Sequence, residues 1–196
     1  ESQNVLTTLF STDDTKKNED FSEKTIAELV RACFEMGKVK TGALIVIERG
    51  TPLGEIERTG IEVDGIVTSQ LLINIFEHNT PLHDGAGVIG AVFIRNQRIV
   101  AATCYLPLSD NMDISKALGT RHRAAVGVSE ATDSVTLVVS EETGRVSVAV
   151  SGRLKSVKDG DELRDMLSVL VKRETENTGR FRIWKGRRRN ERKADE

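Results

Sequence analysis

Four short segments carry side chains able to do chemistry. Asn79-Thr80-Pro81-Leu82-His83-Asp84-Gly85-Ala86 sets an imidazole beside a carboxylate in a loop stiffened by proline and turned by glycine. His83 and Asp84 are potential metal ligands or proton acceptors. Neighbours in extended chain point apart, however, and Asp-Gly is also a common turn pair. Gly119-Thr120-Arg121-His122-Arg123 precedes Ala124-Ala125-Val126 and reads as the start of a helix. The free N–H groups of a helix start favour anions, and cationic side chains there oppose the dipole by about 0.3–1 kcal/mol each. Nothing in the neighbouring sequence offsets Arg121, His122 and Arg123. A bound polyanion would, because backbone donors and guanidinium forks both suit phosphate oxygens; the other reading is a surface patch paired with acids elsewhere. Val139-Ser140-Glu141-Glu142-Thr143-Gly144 closes a hairpin and releases Ser140 and Glu141 at a strand end, where ligands gather in open sheets, although turns also favour Glu and Gly. Cys104-Tyr105-Leu106-Pro107-Leu108 holds the only tyrosine, whose ring could stack on a purine or equally fill the core. Together the segments supply ligands for a metal, donors for phosphates and a ring for a base. That describes a nucleoside triphosphate site without the sequence G-x-x-x-x-G-K-[ST], which does not occur here.

These residues need a scaffold, and the hydrophobic pattern supplies one. Ser22 can cap a helix in which Ile26, Leu29, Val30, Cys33 and Phe34 share a face, with Gly37 as its end. Gly42 to Ile47 reads as a buried strand, and 48–65 as a charged, glycine-rich loop with a short turn or extension. Thr68 or Ser69 caps a second helix through Leu71, Leu72, Ile75 and Phe76. Val92–Ile94 and Ile99–Thr103 flank Arg95-Asn96-Gln97-Arg98 as a hairpin, and Val135–Ser140 and Arg145–Ser151 flank Glu141–Gly144 as a second. Helices are expected near 114–118, at 121–130 and over about 160–173. The expected fold class is α/β of the mixed α+β kind: one domain, with a mixed, mostly antiparallel twisted sheet covered by helices. Gly85-Ala86-Gly87-Val88-Ile89-Gly90 satisfies G-x-G-x-x-G, yet a proline-containing loop precedes it and β-branched residues follow, so a dinucleotide fingerprint is not supported.

Composition narrows the class. The chain has 196 residues, 38% hydrophobic and 30% charged, enough to bury a core without disulfides. No apolar run approaches the ~18 residues of a membrane span. Cys33 and Cys104 are read as reduced core residues of a cytosolic protein. Residues 180–196 hold eight Lys or Arg against three acids, so the rest of a chain with net charge −2 is acidic. An acidic body argues against nucleic acid as a partner. The basic end could contact an anionic membrane, or simply form a solvated tail.

The chain resembles the diadenylate cyclase (DAC) domain, which makes cyclic di-AMP, a bacterial second messenger, from two ATP. Asp84-Gly85-Ala86 matches the D-G-A motif and Arg121-His122-Arg123 the R-H-R motif. Leu71–Phe76, Asn79–His83, Tyr105–Ser109, Leu118–Thr120 and Val139–Gly144 match the surroundings, so the likeness spans about 22–172. One departure is that Gly87–Ala91 lies between D-G-A and the strand at Val92, where the family pattern runs almost directly into the strand. The branch resembled carries membrane helices ahead of the cyclase domain. Glu1 is accordingly read as a cut within a longer protein at the cytoplasmic face of the membrane, this fragment itself being soluble.

Polar, acidic composition marks a linker at 1–20 and the charge run marks a basic tail at 176–196, expected to be disordered; between them the resemblance implies a catalytic domain at 21–175. It implies ATP as substrate, cyclic di-AMP as product, a homodimer that brings two ATP face to face, and a divalent metal (Mn2+, Mg2+ or Co2+). Asp84 and Arg121 would be catalytic, and His83 and Asp84 would bind the metal. Gly85 and Ala86 would lie against the nucleotide, Tyr105 and Leu106 at adenine, and Thr120, Arg121, His122, Arg123 and Ala124 along the triphosphate. Ser140 and Glu141 would sit near phosphates and metal. The alternative reading is a non-catalytic nucleotide-binding sensor module, and a third is an interaction protein using its basic tail.

Overall fold

The computed structural model describes residues 21–78, 80, 82, 90–109 and 118–170. The expected linker at 1–20, the basic tail, the helix near 114–118 apart from Leu118, and residues His83, Asp84, Gly85 and Ala86 lie outside the described residues.

Seven strands form one sheet: β1 (Ala43–Ile47), β2 (Ile61–Ile66), β3 (Gly90–Arg95), β4 (Arg98–Tyr105), β5 (Val135–Val139), β6 (Val146–Val150) and β7 (Arg153–Ser156). Their order is β2-β4-β3-β1-β5-β6-β7. Only β1 and β3 pair in parallel; every other neighbouring pair is antiparallel. The sheet is thus mixed and mostly antiparallel, as the two hairpins demand.

Period-two alternation sorts the central strands onto two cores. Ala43, Ile45, Ile47, Val92, Ile94, Val135, Leu137 and Val139 face one cluster, whereas Leu44, Val46, Ala91, Phe93 and Val138 face the other. On the first side lie α1 (Glu23–Val39), α3 (Ser69–Phe76) and the helix over 160–170, here α5. On the second lie α4 (Thr120–Ala131) and the short α2 (Gly54–Glu57), with Leu53 and Ile56 in that cluster. A strand buried on both faces has no polar side to show, which is why β1 reads as a continuous apolar run.

Local signals held at several boundaries. Ser22 Oγ accepts the Thr25 N–H at 3.1 Å and Thr68 Oγ1 that of Leu71 at 3.2 Å, capping α1 and α3. The β3–β4 turn is tighter than expected: Arg95 and Arg98 belong to the strands, and Asn96 and Gln97 turn the chain with φ of 48° and 63°.

Three expectations need correction. Gly37 does not end α1, which continues to Val39 with Lys40 as a left-handed cap. Instead, a Cβ on Gly37 would stand 2.5 Å from the Gly144 carbonyl oxygen, so this glycine permits the β5–β6 turn to press on the helix. The segment 48–65 contains α2 and most of β2. That strand was hidden because it is the sheet edge, where Ile61, Glu62, Asp64 and Ile66 stay exposed and no apolar alternation develops. β3 begins at Gly90, two residues before the expected Val92, so the stretch separating it from D-G-A shortens to Gly87–Ile89.

Candidate functional site

Strand direction decides which chain ends meet. β1 and β3 run parallel, and β5 and β4 run against them. The starts of β1 and β3 and the finishes of β4 and β5 therefore share one end of the sheet. Gly42, Gly90, Tyr105, Ser140 and Glu141 stand there. α4 begins at the same end, since Arg121 Nη1 lies 2.5 Å from Glu141 Oε2.

Gly119 is the N-cap of α4 and makes no side-chain capping bond. The His122 and Arg123 N–H groups donate to the Gly119 carbonyl, at 3.1 and 3.3 Å. Those of Thr120 and Arg121 precede any carbonyl of their own helix. Small residues let α4 sit close to its neighbours: Ala124, Ala125, Gly127 and Ser129 are buried. Thr120 is exposed, whereas Ala124 is buried.

Nothing in the neighbouring sequence offsets the cationic start, but an acid from elsewhere in the chain does, as the alternative reading of a paired patch had it. Glu141, twenty residues further along, forms an ion pair with Arg121. The Arg121 side chain is 13% exposed and Glu141 57%, so the guanidinium is held inside the rim and the carboxylate stands on it. Gly42 backs the pair: a Cβ there would meet Arg121 Nη1 at 2.8 Å and Glu141 Oε2 at 3.1 Å. Burial holds the His122 imidazole below its usual range, with Glu142 opposing and Arg121 adding to the shift. Arg123 turns one N–H to the Ser109 carbonyl at 3.1 Å. Ser140 closes its hairpin: its N–H donates to the Arg145 carbonyl and its Oγ accepts from the Thr143 N–H.

Tyr105 is 57% exposed at the last position of β4, which removes the core reading of this ring. Leu106 buries its side chain, so contact with a ligand would run through its main chain. A register shift between the Ala91 and Phe93 pairings leaves Thr103 at φ 60° in β4. There its Oγ1 donates to the Leu82 carbonyl at 2.7 Å. Bulges of this kind re-aim side chains beside functional sites. Leu82 and Gly90, the described residues flanking 83–89, are thus both tied to this end of the sheet by β4. After Tyr105, the chain is clamped to α4. Ser109 N–H donates to the Arg123 carbonyl, and Ser109 Oγ donates to Glu130 at 2.9 Å. A Cβ on Gly127 would stand 2.6 Å from the Pro107 carbonyl oxygen.

Of the expected site residues, Tyr105, Leu106, Thr120, Arg121, His122, Arg123, Ala124, Ser140 and Glu141 therefore stand at or beside one sheet end. Gly42 was missed. Its only sequence signal is that a glycine directly precedes a strand of large apolar residues. Among the described residues no group of three His, Cys, Asp or Glu side chains could hold a metal ion. Glu141 does offer a hard oxygen donor, and Mg2+-like ions are commonly held by one or two carboxylates together with substrate phosphates. Glu141 fits that donor chemistry.

The fold and the sequence place the chain in a family. Residues 30–154 match the family described as DisA bacterial checkpoint controller nucleotide-binding, DAC, and the chain belongs to it. Among its relatives, the cyclic di-AMP synthase CdaA of Bacillus subtilis is 50% identical over 87% of this chain and 61% of that protein. A diadenylate cyclase of Listeria monocytogenes is 47% identical over 82% of this chain and 58% of that protein. A solved double mutant of DacA from Staphylococcus aureus superposes with a TM-score of 0.71 at 45% identity, covering 76% of this chain and 97% of that one. The chain thus spans about three fifths of the length of these two relatives.

Proposed function

We propose that this chain is the catalytic part of a diadenylate cyclase, a nucleotidyltransferase that condenses two ATP into cyclic di-AMP and two pyrophosphates. Family membership and the names of the relatives support the class. The observation that carries the reading is the junction of Arg121, Glu141, the open start of α4 and the exposed Tyr105 ring at one end of the sheet. Donors suited to phosphate oxygens and a planar ring, gathered at one sheet end, serve a triphosphate and a base.

In this reading each protomer holds one ATP, and two protomers meet face to face. The 3′-oxygen of one nucleotide forms a bond to the α-phosphorus of the other. The bond from that phosphorus to the bridging oxygen breaks, pyrophosphate leaves, and the 3′-hydroxyl proton is released. A second, symmetric transfer closes the ring. Asp84 orients and activates the 3′-hydroxyl, and His83 assists it. Gly85 and Ala86 let the backbone approach the nucleotide. Tyr105 stacks on adenine, with the Leu106 main chain at its edge. Arg121, from its place beside Glu141 and Gly42, turns free N–H groups to the phosphates and stabilises charge that builds on the transferring group. Thr120, His122, Arg123 and the Ala124 backbone line the triphosphate. A bound divalent cation, held by Asp84 and His83 with Ser140 and Glu141 near it, would lower the pKa of the hydroxyl and neutralise phosphate charge. Most of the rate then comes from positioning and charge.

Among the described residues no helix is long and apolar enough to cross a membrane. We place the full-length protein at the cytoplasmic face of the membrane, with residues 21–175 as the catalytic domain between the linker and the basic tail, because the branch it resembles carries membrane helices. The test is to incubate the chain with ATP and Mn2+, Mg2+ or Co2+ and to weigh the product. Cyclic di-AMP is expected, with activity per molecule falling on dilution below the dimer dissociation constant. ATP bound but never converted would replace this reading with that of a sensor module.

A further inference from the structure

The end of β4 is held by a residue outside every candidate-site segment, Thr59. β2 begins at Ile61, opposite Ala102, and so gives β4 no strand partner beyond that point on its outer side. The Tyr105 N–H on this side does not go to another strand. It donates to Thr59 Oγ1 at 2.8 Å. The Thr59 hydroxyl in turn donates to the Ile56 carbonyl at 2.6 Å, so its proton and one of its lone pairs are committed. The hydroxyl is a fixed bridge from α2 to the peptide that carries the exposed ring.

The bridge rests on a rigid base. Arg95, at the end of β3, donates to Glu48 at 2.6 and 2.9 Å and to Glu57 at 2.5 Å. Glu48 also accepts the Leu53 N–H at 2.8 Å, which fixes the entry to α2. Gly60 lies directly on β4: a Cβ there would run into Cys104 Sγ and stand 2.5 Å from the Ala102 carbonyl oxygen. Thr59 therefore has little freedom to move relative to Tyr105. From the other side, Ser109 ties the same segment to Arg123 and Glu130. The stretch 105–109 is pinned at both ends, although Tyr105 itself is open to solvent. Neither pin is needed to bury the ring.

We propose that Thr59 is a positioning residue, whose hydroxyl fixes the Tyr105 peptide so that the ring and the Leu106 main chain form a pre-set platform for a purine base. This rests on the nucleotide reading above and deepens it, since it separates the base half of the site from the phosphate half. Pre-set surfaces bind more tightly because less order must be imposed on binding.

The test compares Thr59→Val, which keeps shape but loses the hydroxyl, with Thr59→Ser, which restores it. Binding of ATP, adenosine and inorganic tripolyphosphate is measured by calorimetry, with thermal melting alongside. For Thr59→Val, ATP and adenosine should each bind about fivefold to tenfold more weakly, the size of one lost hydrogen bond. Tripolyphosphate affinity should be unchanged, and Thr59→Ser should return to within about twofold of the wild type for all three. Equal weakening of all three ligands, or none, overturns the proposal, as does a Thr59→Ser variant that behaves like Thr59→Val. A wild-type chain that binds tripolyphosphate but no adenosine also overturns it while leaving a phosphate site. A wild-type chain that binds none of the three sinks the nucleotide reading itself.

Discussion

Gly42→Ala should separate activity from stability. The new methyl would stand 2.8 Å from Arg121 Nη1, 2.9 Å from Cζ and 3.1 Å from Glu141 Oε2. Ordinary contact begins near 3.4 Å, so the guanidinium must withdraw by about 0.6 Å and the carboxylate by about 0.3 Å. Both are ends of side chains, so the backbone can stay. The ion pair is partly exposed, and weakening it costs about 0.2–1 kcal/mol. Gly42 is not in the left-handed region, so alanine also narrows the unfolded ensemble, a gain of about 0.4–1 kcal/mol. The net change in stability is within about 1 kcal/mol, a Tm shift of at most about 4 °C for a domain of this size. Function is less forgiving, because a misplacement near 1 Å can cost about a hundredfold. Displacing Arg121 by about 0.6 Å should then lower kcat/KM for ATP about tenfold or more, which is roughly 1.4 kcal/mol or above. The assay is chromatographic turnover of ATP, with a thermal melt of the same sample. Wild-type kcat/KM in a folded variant would refute the claim that Arg121 acts from the position Gly42 allows. A Tm lower by about 8 °C or more would show that the backbone, not the guanidinium, absorbed the methyl.

Three other outcomes are expected. Asp84→Asn should abolish conversion of ATP while leaving its binding within about twofold in calorimetry, because the change removes a charge and a proton acceptor but not the fold. Gly144→Ala should destabilise by at least about 2 kcal/mol, read as a Tm drop of about 4 °C or more. Its φ of 70° disfavours a side chain, and a new Cβ would sit against the Gly37 carbonyl oxygen. His122 is held below the ordinary histidine value of 6.5 mainly by burial. Below that pH the unfolded chain takes up a proton that the folded chain resists, so stability should fall as pH drops through and below it. His122→Gln should flatten that part of the profile in urea titrations at stepped pH.

Much of this molecule follows from local rules. Caps at Ser22 and Thr68, the two hairpins and the apolar runs of β1 and β5 each depend on residues within a few positions of one another, so their chemistry is readable in order along the chain. The edge strand β2 was not readable, since exposure on both faces leaves no periodic signature. The candidate site is divided in the same way. The types of its residues, a cationic helix start, a Ser-Glu pair at a hairpin and a lone Tyr, are sequence properties. Arg121 looked uncompensated for the simple reason that Glu141 is distant in sequence, and the partner arrives only because β5 runs against β1 beneath α4.

What sequence alone determined, then, is which groups exist and which local elements carry them, because backbone preference and hydrophobic period act over one or two turns. Only the tertiary structure decided that Arg121 meets Glu141 over Gly42, that Tyr105 stays open at a strand end, and that Thr59 supplies the partner a missing strand does not. Those are contacts between segments many residues apart. Strand order and direction set them, and no local pattern encodes either.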